Sequence, residues 1–101
     1  MESPLIIEVV EIRGQCPVHK LGDRIVIEGP SINLKETDNL CIHALAPLLH
    51  YVVALREGVD PVKLGLAKEG KYAYIQCVDP GSPYTGGGTV IFRCYVAQDE
   101  K

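Results

Sequence analysis

The chain predicts an α+β fold: a small four-stranded, largely antiparallel sheet with one main helix on one face, in the order strand-strand-helix-strand-strand. Three observations predict it. Runs rich in β-branched and aromatic residues fall at 5–12, 24–28, 72–78 and 89–96. One stretch between them, from about Asn39 to Glu57, repeats apolar residues at offsets of three and four. Clusters of glycine and proline separate these segments and mark where the chain turns.

In the first strand Leu5, Ile7 and Val9 share one face and Glu8 points from the other. Arg13-Gly14-Gln15-Cys16-Pro17 and Leu21-Gly22-Asp23 read as loop, and Arg24 to Glu28 resumes as a second strand that Gly29-Pro30 stops. Thr37-Asp38 offers an N-cap oxygen to the helix, whose apolar stripe is Cys41, Ala44, Leu45, Leu48, Val52 and Leu55. Pro47 removes a backbone donor from that helix, so a kink or two abutting helices is expected there. Gly58 suits the left-handed position that ends it, and Asp60-Pro61 begins one short extra turn to Leu64.

The third and fourth strands, 72–78 and 89–96, are expected to pair antiparallel. The connection between them, Asp79 to Gly88, is long for a hairpin, and long ordered loops tend to carry function. Residues 1–101 form a single domain in this reading, with Gln98 to Lys101 as a frayed tail. A chain of this length buries roughly 60 to 70% of its unfolded surface, enough for one modest core.

Composition narrows the function. With 47% hydrophobic residues and a net charge of −3, the chain is globular, and it has no run of lysine or arginine to neutralise phosphates. Nucleic acid is therefore excluded as a general partner. His43, Pro47 and His50 interrupt the longest apolar stretch, which leaves no membrane span. Met1-Glu2-Ser3-Pro4 lacks the basic start and cleavage site of a secretory leader, so a reducing cytoplasm is expected, with the thiols unpaired.

The four cysteines carry the candidate chemistry. Cys16 and His19 lie three apart in a proline-containing turn, a spacing that lets one loop present two ligands to the same ion. Cys41 arrives from the helix start and Cys77 from the end of the third strand. A Cys3His zinc site is chemically available, as is an iron-sulfur cluster on three thiolates. Paired Cys-x-x-Cys knuckles are absent, and a free cysteine is otherwise a small, readily buried hydrophobe. Cys94 differs from the other three, because it alternates with Val90, Phe92 and Val96 on one strand face.

Other readings stand beside the metal. Cys41 near the positive end of a helix is also a candidate reactive thiol, with Cys16 or Cys77 as resolving partner. His43, two positions on, points to another helix face, so a Cys41/His43 dyad needs irregular geometry. Asp79 either orients a ligating imidazole from behind or stabilises its own Pro-Gly turn. A non-catalytic interaction module is the further alternative, joined as a homo-oligomer through sheet edges or the face shared by Tyr72 and Tyr74. A small-molecule ligand fits either kind of site.

Over most of its length the chain resembles a family of short, functionally uncharacterised proteins of archaea and anaerobic bacteria. Gly14-Gln15-Cys16-Pro17 leading to His19-Lys20-Leu21-Gly22-Asp23, Leu40-Cys41 with Ala44, Pro47 and Leu55-Arg56-Glu57-Gly58, and Cys77-Val78-Asp79-Pro80 before Val90-Ile91-Phe92 carry the resemblance. It departs from that pattern in a shorter loop after Cys16 and an insertion around Ser82 to Gly88. The resemblance implies that the first three cysteines act together and that Cys94 stands apart, and it implies no activity.

Overall fold

A computed structural model describes residues 3–99. Strand β1 (Leu5–Arg13) is central, and β2 (Arg24–Glu28), β3 (Ser31–Ile32), helix α1 (Ile42–Arg56), β4 (Ala73–Gln76) and β5 (Thr89–Val96) follow, with a 3₁₀ turn at Ala97–Asp99. The sheet has five strands in the order β3-β2-β1-β5-β4, and every pair is antiparallel. The α+β class is as predicted, but the strand count is corrected from four to five. Gly29-Pro30 reverses the chain without ending the sheet, so Ser31–Ile32 pairs back onto β2 through Ile27 and Glu28.

Alternation along β1 buries Leu5, Ile7 and Val9 on the helix side. A bulge between Val9 and Glu11 inserts Val10 and shifts the register by one. Ile12 therefore turns back to the core side, opposite Val90, and the chain enters the Cys16 loop directed at the end of β5. The core lies between this face and α1, which contributes Ala44, Leu48, Val52 and Leu55. Burying a side chain such as Leu48, 1% exposed, contributes about 2 kcal/mol. Ile6, Val26 and Tyr95 form a second, smaller buried cluster on the opposite face.

The helix begins later than its sequence suggested, at Ile42, with Cys41 as N-cap residue. Thr37 and Asp38 do not cap it. Thr37 Oγ1 accepts the Val26 amide at 3.0 Å and Asp38 Oδ2 that of Arg24 at 2.8 Å, so both serve β2 instead. Pro47 lies inside one uninterrupted helix, so two abutting helices do not form and the kink is not confirmed. A proline here leaves the carbonyl four residues earlier without its helical donor. That carbonyl belongs to His43, and it accepts the Val78 amide at 3.1 Å. Pro47 thus ties the start of α1 to the chain just beyond Cys77.

The helix ends as predicted. Gly58 adopts φ +85° and donates to Leu55, while Val59 donates to Ala54, the paired bonds of a Schellman cap. A side chain at this position is strained in the left-handed region, so Gly58→Ala is expected to lower stability by about 1 kcal/mol, read as a lower urea midpoint at unchanged slope. At the C-terminus Gln98 and Asp99, the start of the expected frayed tail, belong to the 3₁₀ turn, and the Ala97 amide donates to Pro4. Glu100–Lys101 of the expected tail, and Met1–Glu2 of the segment read for a leader, lie outside the described residues.

Candidate functional site: a thiol-lined cavity

Three turns converge at one end of the α1/sheet core, and each carries one cysteine. The glycine-rich segment explains why they meet. Gly88 is buried, and a Cβ placed on it would stand 2.7 Å from the Gln15 carbonyl and 2.9 Å from the Cys16 nitrogen. The long loop therefore lies backbone to backbone against the Cys16 loop, an approach that only glycine permits. On the other side, the bond from Val78 to His43 brings Cys77 to the helix start.

Cys16, Cys41 and Cys77 line a single cavity of about 290 Å³ together with His19 and Asp79, and Pro17, Leu40, Ile42 and Val90 supply apolar wall. The three cysteines that the sequence singled out thus line one cavity. All four cysteines are free, and Cys94 is elsewhere: it is 1% exposed in the core, opposite Ile7 and Ala73. Burial pushes its thiol up to about 12. Two of the cavity sulfurs accept backbone amides, Cys16 from His19 and Cys77 from Val90, each at 3.3 Å. Cys41 is half-buried and makes no side-chain capping bond.

His19 is the most unusual group. Its ring is buried, packs edge-on against Phe92 with centroids 5.3 Å apart, and hydrogen-bonds at neither nitrogen. Buried polar atoms are rarely left so, because desolvation without a partner costs about 1–3 kcal/mol. The nearest charge is Asp23 Oδ2, 3.5 Å from Nδ1. Asp23 also shapes the turn through the Lys20 amide, as expected.

The carboxylate nearest the His19 imidazole is that of Asp23; for Asp79 the sequence left orientation of a ligand and stabilisation of its own turn side by side. Sequence spacing held the signal, since Asp23 follows His19 by four residues, but turn formation alone accounted for it. Asp79 accepts from Gly81 at 2.9 Å and from Thr85, and its backbone carbonyl accepts from Thr89 at 2.8 Å. The Thr85 hydroxyl above all, then the Gly81 amide, hold its carboxyl below the usual 3.8, with a smaller pull from His43. It stabilises its own turn and lines the cavity as well.

His43 is exposed and lines the cavity beside Cys41. His50 is exposed and packs on Tyr51, with centroids 4.7 Å apart. Among the described residues, no group of three or more His, Cys, Asp or Glu side chains is placed to hold a metal ion as it stands. Among the same residues, no helix is long and apolar enough to cross a membrane. Comparison with protein-family models, with curated proteins and with solved structures finds no match for this chain.

Proposed function

We propose that the protein is a small cytoplasmic metal-binding protein whose centre is held by Cys16, Cys41 and Cys77, with His19 as fourth ligand. The observation that carries this reading is the buried His19 ring, with neither nitrogen hydrogen-bonded and Asp23 Oδ2 3.5 Å from Nδ1, lining the same cavity as the three thiols. A metal at one nitrogen, with Asp23 steadying the other, would remove the cost of that burial. The donor set suits zinc or an iron-sulfur cluster.

A single zinc at Zn–S distances of about 2.3 Å requires the side chains to close inward, because none are so grouped as they stand. A cluster is larger than one ion and asks for less movement around a cavity of about 290 Å³. The amides donating to Cys16 and Cys77 would stabilise negative charge on those sulfurs, a known determinant of cluster potential. With His19 closing the fourth position, the centre is structural or electron-carrying; with that position open, the metal supplies Lewis-acid chemistry to a small ligand in the cavity. The division of the cysteines into three and one also agrees with the three-cysteine family that the chain resembles.

Anaerobic purification followed by elemental analysis and a visible spectrum tests the reading. One centre per chain is expected, brown and absorbing in the visible if it is a cluster, colourless if zinc. Well-folded protein that stays metal-free after anaerobic reconstitution with iron and sulfide, and after dialysis against zinc, overturns it. A second reading, in which Cys41 is a reactive thiol, is favoured by its place ahead of the first turn of α1 and its access to the cavity. Fast alkylation of Cys41 alone, in metal-free protein near neutral pH, selects that reading.

A further inference from the structure

The first turn of α1 is uncapped. Its N-cap residue, Cys41, makes no side-chain bond to it, the turn holds no acidic residue, and Thr37 and Asp38 are committed to β2. The Ala44 and Leu45 amides both donate to the Cys41 carbonyl, whereas those of Ile42 and His43 have no hydrogen-bond partner among the described residues. Two unbonded amides therefore stand at the positive end of a fifteen-residue helix. Cys41, Ile42, His43 and Ala44 all line the thiol cavity, so this end of the helix forms part of its wall. A second observation comes from another element. His19, 3% exposed and lining the same cavity, is hydrogen-bonded at neither nitrogen; Asp23 stands 3.5 Å from Nδ1, and neither an ion pair nor a hydrogen bond involves Nε2 among the described residues.

We propose that the cavity binds a small aliphatic carboxylate, its oxygens on the Ile42 and His43 amides and its chain among the apolar side chains. The helix end selects a negative charge. Pro17, Val18, Leu40 and Val90 make much of the remaining wall hydrocarbon, which an alkyl tail would cover and a bare inorganic anion would not. At about 290 Å³, the volume of about ten water molecules, the space suits a ligand of a few carbons. Asp79, the one acid among the lining residues, gives its carboxylate to the Gly81 amide and the Thr85 hydroxyl. The ligand's charge therefore belongs at the helix end.

Nε2 of His19 is a further polar group available to the carboxylate or, in metal-loaded protein, to the metal whose external ligand the carboxylate becomes. The site goes beyond the metal centre, because the two amides act with or without it.

Titration of the isotope-labelled full chain with sodium butyrate, followed by amide NMR, tests the proposal. Saturable shifts at Ile42 and His43 are expected, with butyrate bound at least about tenfold more tightly than n-butanol, which has the tail without the charge, or inorganic phosphate, which has the charge without the tail. Ile42→Pro isolates the amide. Proline is well tolerated at the first helical position, and Cys41 already has the extended backbone, φ −113° and ψ 127°, that a residue before proline adopts. Loss of that N–H should weaken butyrate by about tenfold or more, while Ile42→Ala, which shortens the side chain and keeps the amide, should bind nearly as wild type does. Butyrate bound no more tightly than butanol or phosphate overturns the proposal, as does equal affinity in Ile42→Pro and Ile42→Ala. Elemental analysis of the same samples reads the metal separately. Metal-free protein that binds butyrate in this pattern refutes the centre and supports the carboxylate site, and metal-loaded protein that does not bind it refutes the carboxylate site alone.

Discussion

Alanine at Gly88 is expected to cost about 3 kcal/mol and to open the thiol cavity, whereas alanine at Gly86 should be nearly neutral. The three consecutive glycines face three different surroundings. A Cβ on Gly86 meets nothing within 4 Å, and the substitution only reduces the freedom of the unfolded chain. A Cβ on Gly87 would overlap Asp79 Oδ2, the far end of a side chain that can swing aside. That movement gives up the bonds to Gly81 and Thr85, so an intermediate loss of about 1 kcal/mol is expected.

On Gly88 the obstructing atoms are the Gln15 carbonyl and the Cys16 amide, backbone that cannot yield without moving the Cys16 loop. Urea denaturation of the three variants should rank them in this order. Fluorescence of an environment-sensitive thiol label should show Cys16 newly accessible only in Gly88→Ala. Equal losses at all three positions would mean that the loop tolerates no substitution, and that the contact with Gln15 and Cys16 has no special place.

Most of the fold was legible because it rests on local pattern. Leu5, Ile7 and Val9 alternate, Ala44, Leu48, Val52 and Leu55 recur at helical spacing, and Gly58 ends the helix in the one conformation that favours glycine. What escaped the sequence depends on distant partners. Thr37 and Asp38 have the chemistry of an N-cap, but the amides of Val26 and Arg24 claimed their oxygens, and the helix began three residues later than expected. The effect of Pro47 was similarly hidden. Losing its N–H looked like a defect in the helix, and the structure uses the freed His43 carbonyl to hold Val78.

The grouping of Cys16, Cys41 and Cys77 was legible because each stands where a turn meets an element, while Cys94 alternates with core residues. The environment of His19 was not. Its spacing from Cys16 suggested a loop ligand and said nothing of burial, but its ring is buried against Phe92, a contact that depends on β5, more than seventy residues away in sequence. The role of the open, glycine-rich loop was also only half visible. Its length pointed to function, and its glycines turn out to admit the Cys16 backbone.

The cysteines supply an internal control, and replacing them one at a time should divide them sharply. Cys16→Ser, Cys41→Ser and Cys77→Ser are each expected to remove most of the bound metal, because serine is a far poorer ligand for a soft centre. Cys94→Ser should keep full metal occupancy. Its thiol is held protonated by burial, raised to about 12, and lies in the core away from the cavity. Its cost is to stability instead, about 1–3 kcal/mol for a hydroxyl placed without an assured partner.

His19→Leu completes the set with a readout in two directions. Leucine fills a similar volume without polar atoms, so metal-free protein should become more stable once the unpartnered imidazole is gone, while metal-loaded protein should lose affinity by at least about tenfold. Elemental analysis and thermal unfolding, each with and without chelator, read both effects. Stabilisation with unchanged metal content would remove His19 from the ligand set and leave a three-thiolate centre. Undiminished metal in all three cavity serine variants would remove the centre altogether, and the cavity would then be an apolar cleft whose thiols are incidental to what it binds.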